Sequence, residues 1–122
     1  MTNKAQNSTF KELINLLNSK NIVPKTLEEV DLSLLKTRKK LQIYSGVTEN
    51  RYYVVIFVIK QKSRFLIKNA KEIAELEIRL EELKNHAYKN KMVVIYSPFC
   101  SKAKLFLKTE GWKIIEAKDD TL

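Results

Sequence analysis

A chain of 122 residues with a formal net charge of +9, one cysteine, two glycines and two prolines has the length of one domain and can bury a core without disulfides or metals. The lone cysteine excludes an internal disulfide, and the scarcity of glycine and proline argues against a linker-rich or disordered chain. The longest apolar run, YYVVIFVI at 52–59, falls far short of the roughly 20 residues of a membrane helix, and the N-terminus has no long apolar signal segment, so the expectation is a cytoplasmic protein without a membrane span.

In chain order, Thr9 to Glu12 has the pattern of a capping box and predicts a helix with Phe10, Leu13, Ile14 and Leu17 on one face. Asn21 to Pro24 breaks it. Thr26 to Glu29 repeats the capping pattern, and Leu27, Val30, Leu34 and Leu35 predict a second helix that runs into Arg38, Lys39 and Lys40. The period then changes. LQIYSGV at 41–47 alternates like a half-exposed strand, RYYVVIFVIK at 51–60 is apolar on both faces like a central strand, and RFLIK at 64–68 reads as a short third strand of an antiparallel meander. Asn69 to Glu72 caps a long helix whose apolar stripe is Ile73, Leu76, Leu80, Leu83 and Ala87; the same stripe has the spacing of a short coiled-coil seam. MVVIYS at 92–97 is a buried strand, Ser97 and Pro98 suit the N-cap and first position of a helix, Gly111 suits its stop, and WKIIEA is a last strand. The predicted class is α/β: a mixed sheet with a three-strand meander followed by β-α-β crossovers, order ααβββαβαβ, helices on both faces, in a single domain over 1–122 with 1–8 and 118–122 as flexible tails.

The charge is concentrated. Between Lys36 and Lys71 stand ten basic residues and one acid, Glu49, a balance equal to the net charge of the whole chain. The next segment reverses sign, with Glu72, Glu75, Glu77, Glu81 and Glu82. A positive segment of this kind attracts polyanions, nucleic acid first, so Lys36, Arg38, Lys39, Lys40, Lys60, Lys62, Arg64 and Lys68 are candidate phosphate contacts. Tyr44, Tyr52, Tyr53 and Phe65 lie among them and are candidates either for stacking on bases or for the core. Lysines at strand ends also serve to keep sheet edges soluble.

The element order from the second helix onward, together with KMVVIYSPFCSKAKLFLKTEGWKIIE near the end, resembles the core of the PD-(D/E)XK, or restriction-endonuclease-like, superfamily over residues 27–117. The resemblance implies an Asp and a Glu on adjacent strands that hold Mg²⁺, with a Lys two residues past the Glu. Here the lysine is Lys60 or Lys68, and the carboxylate position is Val58 or Leu66; between Arg51 and Lys71 there is no Asp or Glu, and Glu49 is the nearest acid. The resemblance therefore implies a nuclease-like fold whose catalytic site is lost, with no catalytic residue, metal or cofactor.

YSPFCSKAKLFL also resembles the active-site turn and first helix of glutaredoxins, with Ser97, Pro98, Phe99 and Cys100 on the Cys-Pro-Tyr-Cys positions. The nucleophile's position is Ser97, so the local likeness is coincidental. Cys100 reads as a small apolar residue or as a candidate reactive thiol near a helix N-terminus. His86 and Cys100 alone supply no zinc pattern, and two glycines supply no phosphate loop. The expected function is a small basic protein that binds the phosphate backbone of DNA or RNA without cleavage. The alternative is a non-enzymatic adaptor for a protein partner, and the third reading is a residual metal-dependent nuclease or thiol-redox enzyme.

Overall fold

The computed structural model describes residues 4–19, 24–35 and 41–117. In chain order these form α1 (Lys4–Ser19), β1 (Pro24–Glu29), a 3₁₀ turn (Leu32–Leu35), β2 (Gln42–Thr48), β3 (Tyr53–Ile59), α2 (Ile67–Lys84), β4 (Asn90–Ile95), α3 (Ser101–Thr109) and β5 (Trp112–Glu116). The strands build one sheet in sequence order. β1, β2 and β3 are antiparallel neighbours, and β3, β4 and β5 are parallel. The mixed α/β class, with a meander followed by β-α-β units, is as the sequence predicts.

β3 explains the layering. Its apolar residues alternate in direction, so Val55, Phe57 and Ile59 pack under α2 and α3, against Ile73, Leu76, Leu80, Ala103 and Leu107. Val54, Ile56 and Val58 face the other way and pack under α1, against Leu13 and Leu17. A strand covered on both faces must be apolar on both, which is what YVVIFVI provides. The stripe of α2 from Ile73 to Leu80 thus belongs to the sheet and not to a coiled coil, whereas Leu83 is exposed and Ala87 lies beyond the helix, which stops at Lys84 before Asn85 in a left-handed conformation.

Four boundaries differ from expectation. Residues 26–35 are not a second helix: Pro24–Glu29 is an edge strand paired with β2, and only Leu32–Leu35 coils. Leu27 packs toward the α1 side while Val30 and Leu35 enter the opposite core, so the helical spacing of these residues serves two faces of a sheet instead of one face of a helix. Pro24, at the first position of an edge strand, is placed where no ladder donor is needed. Residues 64–68 are not a third strand either. Phe65 makes a single bridge to Phe99, and α2 begins at Ile67, its N-cap Leu66 donating its N–H to Asn69 Oδ1 at 2.8 Å. The order is therefore αβββαβαβ, and the meander is built from β1, β2 and β3. The Thr9–Glu12 box lies inside α1, which starts at Lys4. Finally, α3 begins at Ser101 with Cys100 as N-cap, three residues later than Ser97. The Phe65 N–H donates to Pro98 O and the Cys100 N–H to Phe65 O, which holds 98–100 extended. Gly111 does end α3, with φ of +87°.

Candidate nucleic-acid interface

The carboxyl ends of the three parallel strands emerge along one edge of the sheet, and main-chain bonds from Tyr96 N to Ile59 O and from Ala117 N to Ile95 O, both 2.9 Å, carry the pairing to that edge. In open α/β sheets this is where ligands sit, because loops leave the sheet there and helices point their N-termini at it. Lys60, directly after β3, is exposed; its Nζ lies 3.4 Å from Glu12 Oε2 of α1 and 4.9 Å from the centre of the Tyr96 ring. Lys62 and Arg64 are exposed on the following loop and Lys68 in the first turn of α2. The structure thus gathers four of the eight candidate contacts at one end of the sheet. Lys36, Arg38, Lys39 and Lys40 lie outside the described residues.

Beside this loop a groove of about 650 Å³ opens between the ends of β4 and β5 and the start of α3. Arg64, Tyr96, Ser97, Phe99, Lys104 and Glu116 line it. Lys104 Nζ is 3.2 Å from Glu116 Oε2 and 5.7 Å from the centre of the Phe99 ring. Sequence reasoning named Arg64, Ser97 and Phe99 for other reasons and did not join them to Tyr96, Lys104, Glu116 or Glu12, because these come from segments remote from the lysine loop. The one available signal was position: Tyr96 to Phe99 leave the end of a parallel strand and lead into a helix.

The aromatic residues named from sequence fall elsewhere. Tyr44 and Phe65 are buried in the core. Tyr52 and Tyr53 are exposed, but at the amino end of β3, where Tyr53 stacks on His86 with ring centres 3.5 Å apart and Lys89 Nζ stands 3.8 Å from the Tyr52 ring centre. The acids of α2 do not neutralise the lysine loop as a group. Glu77 is buried beside Lys91, and Glu81 accepts from the Tyr88 N–H, both near the amino end of β4. Burial, then a hydrogen bond shared with Glu81, pushes the Glu77 carboxyl up to about 7, against the pull of Lys91.

Cys100 is half-buried at the start of α3. Its Sγ accepts the Ala103 N–H at 3.4 Å, and that bond, with the main chain of Lys102 and of Ile67 and the charge of Arg64, holds the thiol below its usual range against some desolvation. The sulfur therefore caps α3 and also meets the first residue of α2.

The strands also show what stands where a nuclease motif would be. Val58 is 2% exposed and faces Gln42 across the antiparallel pair β2–β3. Neither is a carboxylate. Glu12 is the acid at this end of β3 and is already tied to Lys60. Glu49 sits in the turn at the far end of β2, roughly 20 Å away at about 3.3 Å per residue. The Leu66-Ile67-Lys68 alternative is the start of a helix and offers no strand position. Among the described residues no three His, Cys, Asp or Glu side chains cluster to hold a metal. The donor set does not fit the Mg²⁺ site of the superfamily.

A five-stranded mixed sheet with this meander, helix and parallel strand has the restriction-endonuclease-like fold, and solved structures bear that out. The apo form of EndoMS matches with a TM-score of 0.60 and 18% identity over 93% of this chain and 47% of its own. A repair endonuclease from Pyrococcus abyssi matches with a TM-score of 0.55 and 13% identity over 97% and 48%. A complex of EndoMS with double-stranded DNA matches with a TM-score of 0.55 and 17% identity over 95% and 46%. The chain spans about half the length of these proteins. At such identities the likeness establishes the fold alone. No protein-family model matches the sequence, and no curated protein does.

Proposed function

We propose that this protein binds nucleic acid through its phosphate backbone and does not cut it. Lys60, Lys62, Arg64 and Lys68 are the proposed contacts among the described residues, and Lys36, Arg38, Lys39 and Lys40 are proposed on charge alone. The observation that carries the reading is the pairing of Val58 with Gln42 beside an intact Lys60. The end of β3 keeps its cation and lacks the carboxylate pair that would hold a divalent ion at a scissile phosphate. Cations without a metal site bind phosphates and position a strand, and they read no sequence by themselves. The fold shared with a repair endonuclease and with EndoMS, which was solved with double-stranded DNA, supports nucleic acid as the polyanion.

The test is a pair of assays on one preparation. Binding to duplex and single-stranded DNA and to RNA is measured across salt concentrations, and the same strands are incubated with Mg²⁺ or Mn²⁺ and examined for breaks. Salt-sensitive binding with intact strands supports the proposal.

A further inference from the structure

The groove beside the lysine loop contains a feature that backbone contacts at the loop leave unexplained. Ser97 lines it and is 8% exposed, and its Oγ has no hydrogen-bond partner among the described residues. A buried hydroxyl left unpaired costs stability, so an orphan of this kind marks a place where a water or a ligand oxygen belongs. The hydroxyl turns on a single torsion and can donate to an oxygen that enters the groove.

Three further features fix the sign of that ligand. α3, nine residues long, opens on the groove at Ser101 and presents the positive end of its dipole. α2 begins next to it, because the Phe65–Phe99 bridge sets the two helix starts side by side, and its positive end contributes at longer range, since no α2 residue lines the groove. Arg64 and Lys104 supply two full cations to the groove. Glu116 opposes them: it also lines the groove and is the ion-pair partner of Lys104.

Arg64 and Lys104 outweigh Glu116 by one charge and the α3 end adds to them, so the groove suits an anion. A phosphate monoester carries about −1.5 to −2 near neutral pH, whereas a phosphodiester carries one. A monoester also offers three free oxygens, one for each of Arg64, Lys104 and Ser97, whereas a phosphodiester offers two. The volume of about 650 Å³ matches a nucleotide-sized site, with the Phe99 ring beside it for a base.

We propose that this groove binds a phosphate monoester, the group carried by a mononucleotide or by the phosphorylated end of a nucleic-acid strand, through Arg64, Lys104 and Ser97. The inference rests on the nucleic-acid reading for its source of ligand and adds a defined subsite to it.

The test has two arms. In the first, isotope-labelled full-length protein is titrated with inorganic phosphate, with adenosine monophosphate and with adenosine, and followed by NMR. Phosphate and the monophosphate should shift the resonances of Ser97, Ser101 and Lys104, and adenosine should not. In the second, a short single strand with a 5′-phosphate, a 3′-phosphate or hydroxyl ends is bound by fluorescence anisotropy. A phosphorylated strand should bind at least tenfold more tightly than the hydroxyl strand. Ser97→Ala should shrink that ratio and Glu116→Gln should enlarge it by releasing Lys104, with each variant's fold confirmed by its NMR spectrum. The ratio should also fall as the pH drops below about 6, where a monoester takes up a proton. A monophosphate that binds while strands show no end preference identifies the free nucleotide as the source. Equal strand affinities together with no resonance shift from phosphate or monophosphate overturn the inference and leave the backbone-binding proposal standing. If neither strand binds, the backbone proposal falls, and the phosphate titration alone decides the subsite.

Discussion

Replacing Lys60, Lys62 and Arg64 together by alanine tests the interface through a number the structure constrains. For duplex DNA the logarithm of the binding constant falls with the logarithm of salt concentration by about 0.9 per phosphate neutralised, and for single strands by about 0.7. Lys62 and Arg64 are exposed on the loop and each can take a phosphate. Lys60 first has to leave Glu12, an exposed pair of 3.4 Å that is worth no more than about 1 kcal/mol and is easily exchanged for a phosphate. The slope on duplex DNA should therefore fall by roughly two if Lys60 stays on Glu12 and by close to three if it leaves. Glu12→Gln separates the two cases, since it frees Lys60 and should restore the larger slope to the wild-type chain. The loop should survive the triple change, because Gln61 Nε2 holds it through the main-chain oxygens of Ser63 and Arg64, both at 3.1 Å. Preference among sequences should stay the same. The assay is anisotropy titration at four or more salt concentrations, with a thermal melt to confirm the fold. An unchanged slope in a folded triple variant would refute the placement of phosphates on this loop.

Other outcomes follow from the core and its edges. Gly46→Ala puts a Cβ 1.9 Å from the Thr26 carbonyl oxygen across the β1–β2 pair, so it should lower stability by about 2 kcal/mol or more in chemical denaturation; a neutral result would show that β1 is not docked in this register. The Glu77 carboxyl is raised to about 7 in the fold, so its contribution to stability is complete below its unfolded value near 4.5, declines as the pH rises to about 7 and then levels off. Glu77→Gln should remove that decline and gain on the wild type by an amount on the order of 2 kcal/mol between pH 5 and 8, because the downward shift of its partner Glu81 offsets part of the full effect. Cys100→Ser exchanges one capping side chain for a better one and should change stability by under about 1 kcal/mol, while direct titration of the wild-type thiol should place it below an ordinary cysteine.

The parts of the fold visible in the sequence are those with one dominant period. β3 reads as a central strand because both of its faces are apolar, α2 because Ile73, Leu76 and Leu80 repeat on one face, and the end of α3 because Gly111 can take a positive φ. β1 was hidden because Leu27, Val30 and Leu35 have helical spacing yet are shared between two cores, and pairing with β2 outweighs local preference. The lysine loop was legible as charge. Its surroundings were not: Glu12 stands 48 residues before Lys60 and joins it only when α1 crosses the sheet, and Tyr96 reaches it only through the parallel pairing of β3 with β4. The groove depends in turn on a bridge between Phe65 and Phe99, a single contact with no pattern in the chain. Cys100 shows the same limit. Its place near a helix start was readable, but the approach of the Ile67 main chain from α2 follows only from the fold.

The central claim is that the end of β3 holds nucleic acid and lacks the means to break it. The most direct measurement incubates the full chain with labelled duplex DNA, single-stranded DNA and RNA at low salt with Mg²⁺ or Mn²⁺, and reads complex formation and strand integrity from the same samples. The prediction is a retained complex on unbroken strands, weakened by salt. Metal-dependent cleavage that follows the protein through purification and disappears in Lys60→Ala or Glu12→Gln would contradict it, as would the absence of any complex at millimolar protein.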